Sequence, residues 1–394
     1  MPDDKAIVSI KMIEGQIEGY LQWMAANGYA ESTLKEYAQE LNQFKLFVEK
    51  RKRTIENIFT HQVLRGFKRV YPTSRGHAIR GLSHYLHEQG KISRHLRMQE
   101  LIDLPQIYED YLTYQQKTHQ ADHRKRMHIR TVLVALHTFL EKHQIRLSTS
   151  TIEKIDGFLS EYLANYKERT CAIYRSRLRG FLRYLFYERK LLSRNLAPLI
   201  IGAPQFAKAK PPNFLRSDEL QRLFTGLKLS SPSDLRTYAM VHLAYTLGLR
   251  PREISLLRLN DIFFKAAELC VRTRKNDAPV RLPVPENTIK AMAAYLVGGR
   301  PKSNHRRLFL TLQPPFRPMS QNTVTQAINA CMKKTGLPYS AYGLRHTYAQ
   351  NLLEAGLSLY EIKEMMGHDS IESTKKYLYV HIKLMREVLF DETL

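Results

Sequence analysis

The feature that most restricts how this 394-residue chain can fold is an internal echo. Arg80, Gly81, Tyr85 and Leu86 recur as Arg179, Gly180, Tyr184 and Leu185, an offset of 99 residues. After one inserted residue, Ser93, Arg94 and Leu96 recur as Ser193, Arg194 and Leu196. Each copy closes a stretch whose apolar residues follow helical spacing. Leu34, Tyr37, Leu41, Phe44 and Val48 line one face behind a candidate N-cap at Ser32 or Thr33; Val132, Leu133, Leu136, Phe139 and Leu140 line another. Leu178, Phe181, Leu182, Leu185 and Phe186 line a third. Two copies rather than many argue against a stacked solenoid. The expectation is two similar helical domains in tandem, residues 1–100 and 101–203.

Residues 204–212, Pro-Gln-Phe-Ala-Lys-Ala-Lys-Pro-Pro, have no apolar period and read as a linker. Lys208 and Lys210 within it suit either a plain spacer or a tether lying along a phosphate backbone. Beyond it, residues 213–394 change character. Ser217 is placed to cap a helix carrying Leu220, Leu223, Phe224 and Leu227, and a second helix runs from about Leu235 to Leu247 and stops at Gly248. Glu268 to Arg274 and Pro279 to Val284 read as strands about a Lys275-Asn276-Asp277 turn. Helices return from Ser320: Val324 to Lys334, Leu344 to Ala355, Ser358 to Met366, and one through Tyr377. The fold class is therefore mainly α with a small β-sheet.

Charge narrows the partners. Lys and Arg number 61 against 37 Asp and Glu, a formal net charge of +24, while 43% hydrophobic residues provide for packed cores and argue against wholesale disorder. Such an excess suits a polyanion, because neutralised phosphates release counterions. Cys171, Cys270 and Cys331 are too scattered for a disulfide framework or a thiolate zinc site. No signal-like leader and no apolar run of membrane-spanning length is present, so the reading is cytoplasmic with no membrane partner. His119, His123 and His128, set among Arg124, Lys125 and Arg126, read as one solvated or DNA-facing helix rather than a metal site.

Five residues in the second half stand where a surface helix would not spend them: Arg250 in the turn before Pro251, Lys275 at the hairpin, Arg345 near a helix start, His368 after Gly367, and Tyr377. Their order resembles the tyrosine recombinases, the phage-integrase family. Ala244-Tyr245-Thr246-Leu247-Gly248-Leu249-Arg250-Pro251-Arg252-Glu253-Ile254 resembles the family's first arginine box, and Tyr342-Gly343-Leu344-Arg345-His346-Thr347-Tyr348-Ala349 its second. Met366-Gly367-His368-Asp369-Ser370 followed by Tyr377 resembles the box that ends in the nucleophile, and the segment closing in Arg281-Leu282-Pro283-Val284 resembles the hairpin that carries the lysine. The resemblance spans about residues 213–385.

It implies a recombinase catalytic domain at 213–394, with a tail after the nucleophile. It also implies a core-binding domain of the SAM-like helical type at 101–203 and an additional copy at 1–100. Arg250 and Arg345 become phosphate clamps, Lys275 the general acid, His368 a hydrogen-bond donor to the scissile phosphate, and Tyr377 the nucleophile. Glu253 falls on a family acidic position, either bracing Arg250 or lying on a helix surface. One position departs from the pattern: Tyr342 stands where the family usually has histidine. A phenol is largely protonated at neutral pH and takes up a proton less readily than an imidazole. Tyr379 is the competing nucleophile, but on a helix it points about 200° away from Tyr377.

Arginine forks suit the charge that develops on a phosphodiester under attack. A phosphotyrosyl link conserves the bond energy, so no nucleotide fuel is needed, and the sequence has no phosphate-loop motif. No cofactor and no metal is expected. The reading is a site-specific recombinase or integrase acting on double-stranded DNA through a 3′-phosphotyrosyl intermediate. It would serve integration, excision or transposition of a mobile element, as a homotetramer on DNA or in hetero-assembly with related recombinases. Two alternatives stay open, a type IB topoisomerase-like nicking-closing enzyme and an inactive DNA-binding accessory protein of the same fold.

Overall fold

The computed structural model describes residues 10–49, 55–97, 102–202, 212–272, 279–367, 371 and 374. Its first helices are α1 (Ile10–Ala26), α2 (Glu31–Glu49), α3 (Ile55–Ile58), α4 (His61–Val70) and α5 (His77–Glu88). The apolar stripe of α2 buries Leu41, Phe44 and Val48 against Tyr20, Met24, Phe67, Ile79 and Leu82. Ser32 and Thr33 lie inside the first turn of α2 and do not cap it, because the helix already begins at Glu31. Glu40 ties α2 to the start of α5: its two carboxylate oxygens accept the backbone N–H groups of Gly76 at 2.7 Å and Ala78 at 3.0 Å. A carboxylate there satisfies donors that a helix start leaves open.

A second set comprises α6 (Gln106–His119), α7 (His123–Lys142), α8 (Ile152–Leu163) and α9 (Glu168–Tyr187), around Tyr108, Leu136, Phe158, Phe181 and Leu185. The histidine run does not form one helix. Gln120 adopts a left-handed conformation (φ 46°) that ends α6, and Asp122 accepts the Lys125 N–H at 2.7 Å to begin α7, so His119 and His123 belong to different helices.

The echo in the sequence is an echo in packing. A Cβ on Gly81 would fall 2.1 Å from the hydroxyl of Tyr20 on α1, and one on Gly180 would fall 2.7 Å from the hydroxyl of Tyr111 on α6. Tyr20 and Tyr85 lie 5.4 Å apart between ring centroids, Tyr111 and Tyr184 5.1 Å. Three residues on from each first-helix tyrosine, Trp23 meets Tyr85 at 5.6 Å and Tyr114 meets Tyr184 at 5.0 Å. Leu96 and Leu196 are both buried. The glycine in each copy is thus required by a close approach, not by a turn.

The remaining elements are α10 (Ser217–Gly226), α11 (Pro232–Thr246), α12 (Pro251–Leu256), β1 (Ile262–Phe263), β2 (Glu268–Val271), β3 (Val280–Pro283), α13 (Glu286–Gly298), α14 (Gln321–Lys334), α15 (Ala341–Glu354) and α16 (Leu359–Met366). Ser217 is the first residue of α10 rather than its cap. The strands form an antiparallel sheet in the order β1-β2-β3, with Ile262 opposite Leu269 and Val271 opposite Val280. In this half of the chain, β1 and α13 escaped the sequence reading. β1 is too short to show a period, and α13 carries Thr288, Ala291, Met292 and Tyr295 inward at helical spacing that was not recognised. β2 and β3 are shorter than the expected strands, and residues 273–278, where the Lys275-Asn276-Asp277 turn is expected, lie outside the described residues. Helix α11 runs through the middle of the core, with Met240, Val241 and Leu243 fully buried. The chain packs as two compact units, residues 97–207, and residues 1–96 together with 208–394.

Candidate active site

The turn after α11 fixes the first arginine. Gly248 has φ +59°, and a Cβ there would fall 2.3 Å from the ring of Tyr348, so both conformation and space demand glycine. Leu249 is buried, and Arg250 has extended backbone just before Pro251, the first residue of α12. Glu253, in the first turn of α12, is 3% exposed. Its Oε2 accepts the Arg250 backbone N–H at 2.8 Å and its Oε1 accepts Nη1 of the same arginine at 2.8 Å. Of the two readings open for Glu253, the surface carboxylate is thereby ruled out.

The second arginine comes from α15. Arg345 is 3% exposed; its guanidinium donates to the carbonyls of Gly248 and Met366, and Nη1 lies 3.9 Å from Glu253 Oε2. Helix α16 is capped at its start by Ser358, whose hydroxyl accepts the Glu361 N–H, and closed by Gly367 at φ 58°. The Gly367 carbonyl accepts Arg250 Nη2 at 3.0 Å. One buried carboxylate therefore stands between two guanidiniums, and both are also tied to the end of α16. Charge-assisted pairs of this kind hold their geometry far better than neutral ones, and a buried cation needs its carboxylate because an unpaired charge is costly there.

Tyr342 lies in the first turn of α15, one turn before Arg345, and is 40% exposed; His346 is half-buried beside it. Lys275, His368, Tyr377, Tyr379, Lys208 and Lys210 lie outside the described residues. His368 directly follows the Gly367 whose carbonyl meets Arg250. Asp261, buried, accepts the Arg258 N–H at 2.9 Å and Arg272 Nε at 2.6 Å, which fixes the residue just after β2, three positions before Lys275. Arg124 is exposed and Lys125 and Arg126 are half-buried in the first turn of α7, in the unit of residues 97–207. Sequence reasoning missed Tyr348 and the carbonyls of Gly248, Met366 and Gly367. The two glycines were visible only as helix ends. Among the described residues, no three His, Cys, Asp or Glu side chains are grouped to hold a metal ion, and no helix is long and apolar enough to cross a membrane.

Residues 213–383 carry the pattern of the phage integrase family. The XerC tyrosine recombinase of Pelotomaculum thermopropionicum is 30% identical over 221 residues, 53% of this chain and 70% of that protein. The chain belongs to the phage integrase family. Its members, the tyrosine recombinases, cleave and rejoin DNA strands, and the chain is a site-specific recombinase of this kind. An integrase/recombinase of Sinorhizobium fredii, y4rA, is 28% identical over 247 residues, 62% of this chain, and the chain spans 60% of that relative's length. The fold is similar to that of the XerH site-specific recombinase in a post-cleavage complex with a palindromic difH substrate, with a TM-score of 0.56, 15% identity and 96% of each chain covered. The recombinase match lies C-terminal to an N-terminal helical region.

Proposed function

We propose that the chain cuts and reseals duplex DNA at a specific site with Arg250 and Arg345 clamping the non-bridging oxygens of the scissile phosphate. The Tyr377 phenol gives up its proton to water as its oxygen attacks phosphorus, the bond to the 5′ oxygen breaks, and Lys275 supplies the proton that the leaving oxygen takes up. A 3′-phosphotyrosyl link results, and attack by a 5′ hydroxyl of the partner strand reverses the sequence. Tyr342 and His368 donate hydrogen bonds to the same phosphate. The observation that supports this reading is the pair of guanidiniums held around Glu253 and joined to the Met366 and Gly367 carbonyls. Fixed donors aimed at developing charge act without reorganising during the reaction, and the chain leaves Gly367 directly into His368.

The matched packing of Gly81 with Tyr20 and Gly180 with Tyr111 supports two tandem SAM-like helical domains that arose by duplication, at 1–100 and 101–203, joined by the 204–212 linker to the catalytic domain at 213–394. Arg124, Lys125, Arg126, Lys208 and Lys210 then track the DNA backbone in a cytoplasmic assembly of four protomers. Integration, excision or transposition of a mobile element is the role that fits the relatives' names.

A nicked suicide substrate carrying the candidate site tests the proposal. A covalent adduct is expected whose DNA-linked peptide, mapped by mass, contains Tyr377. Tyr377→Phe abolishes it and Tyr379→Phe does not; the reverse result reassigns the nucleophile. Relaxation of supercoiled DNA without a defined site would favour the topoisomerase-like reading. Sequence-specific binding with no adduct would favour the accessory-protein reading, for which Tyr342 is the one supporting feature.

A further inference from the structure

Beside Gly180 the second bundle has an open recess of about 280 Å³ whose walls include Tyr114, His119, Arg183, Tyr184 and Tyr187. In the first bundle, counting from Tyr20 as from Tyr111 and from Gly81 as from Gly180, the corresponding residues are Trp23, Gly28, His84, Tyr85 and Glu88. There the recess is filled by a loop of the recombinase half, residues 313–318, which belongs to the same compact unit. Phe316, at φ 53°, lies against the α1–α2 turn, so that a Cβ on Gly28 would fall 3.2 Å from its ring. Arg317 Nη1 is 3.0 Å from His84 Nε2, and its Nη2 donates to the two carboxylate oxygens of Glu88 at 3.3 and 3.4 Å.

We infer that the N-terminal bundle is an intramolecular docking module whose partner is the 313–318 loop of its own recombinase half, and that the two bundles have diverged at three positions so that only the first accepts this loop. The inference rests on the duplication proposed above. Each difference has a physical sense. Gly28 leaves the space that Phe316 occupies, where the second bundle has the His119 side chain. His84 presents a ring nitrogen 3.0 Å from Arg317, where Arg183 would present a second guanidinium of like charge. Glu88 supplies the opposite charge, where Tyr187 supplies none. Both bundles keep the aromatic shelf, Trp23 with Tyr85 and Tyr114 with Tyr184. Shape is shared, and charge and bulk discriminate. The additional bundle is thereby placed on its own chain without DNA.

Zero-length carbodiimide coupling tests this in the full chain without DNA. Arg317→Lys puts an amine beside Glu88, and the expected product is an intramolecular link between positions 317 and 88, found by peptide mass in the monomer band and lost when Glu88→Gln is added. A link found only in covalent dimers, or none at all, overturns the inference. Hydrogen exchange gives an independent reading. Arg317→Glu, and equally His84→Arg, which installs the second bundle's residue, should speed exchange of the amides at 84–90 about fivefold, equivalent to about 1 kcal/mol. Glu88→Arg combined with Arg317→Glu should restore slow exchange. Unchanged exchange in both single variants overturns the inference. None of these residues touches the cluster around Glu253, so DNA adduct formation reports separately on the recombinase reading.

Discussion

The helical bundles and the recombinase half bury different kinds of group. In the bundles the buried polar residues are neutral: Ser83, Gln115 and Ser150, with Ser83 accepting the Leu96 N–H at 2.8 Å and Gln115 donating to the Tyr111 hydroxyl at 3.0 Å. Among the described residues the buried charges, Glu253, Asp261 and Arg345, all lie in the recombinase half, which also buries the imidazole of His242. In the bundles these groups satisfy a backbone N–H or another neutral side chain. The recombinase core keeps ions dry at a cost in desolvation, and holds them in one geometry by mutual pairing.

The contrast is sharpest at Glu253. Glu253→Ala leaves Arg345 buried beside a missing carboxylate and should cost roughly 3–5 kcal/mol in chemical denaturation. Gln115→Leu in the second bundle should cost about 1 kcal/mol, the net worth of an ordinary hydrogen bond. Similar losses at the two sites would break the comparison.

Acid should separate the regions next. Burial pushes His242 down from 6.5 to about 4, so the unfolded chain takes up its proton first. The stability is complete above pH 6.5 and is lost as pH falls from there toward 4. The loss is on the order of 2 kcal/mol once residual solvent screening is allowed for. His242→Phe should flatten that part of the pH–stability curve, as followed by thermal unfolding at closely spaced pH values.

A smaller effect probes the bundles. Gly180→Ala gains helix propensity of about 1 kcal/mol but crowds the Tyr111 hydroxyl, for a net loss of about 1 kcal/mol. Since the oxygen is the crowded atom, at 2.7 Å from the notional Cβ against 3.9 Å for Cζ, Gly180→Ala should lower the melting temperature much less in a Tyr111→Phe background, measured against Tyr111→Phe alone, which itself lacks the acceptor of Gln115. The smallest effect is in thiol labelling. Half-buried Cys270 should react first with a maleimide, Cys171 and Cys331 only on unfolding, since both are buried and burial raises the Cys331 thiol to about 11. Equal rates would indicate that the recombinase core opens more readily than its packing implies.

Legibility in the sequence followed the same division. In the bundles α2, α7 and α9 were readable because a helix advertises its buried face locally: Leu41, Phe44 and Val48 point inward as their spacing predicts, whereas α1, α3 to α6 and α8 were not read from the sequence. The failures were local as well. β1 is only two residues long, α13 went unrecognised between the hairpin and Ser320, and the histidine run was read through a left-handed break at Gln120. At the candidate site Arg250 and Arg345 were found from their boxes, while the position of Glu253 stayed open between brace and surface until the fold closed around it.

By itself the sequence determined the repeated Arg-Gly and Tyr-Leu pattern, the basic character and the ordered boxes that place the chain in its family, because spacing, charge and short motifs reside in the residues themselves. Tertiary structure alone decided what holds the arginines. Arg345 reaches the Gly248 carbonyl across 97 residues and Arg250 reaches the Gly367 carbonyl across 117. A backbone carbonyl is the same at every position, so only the folded chain can show which ones a guanidinium meets.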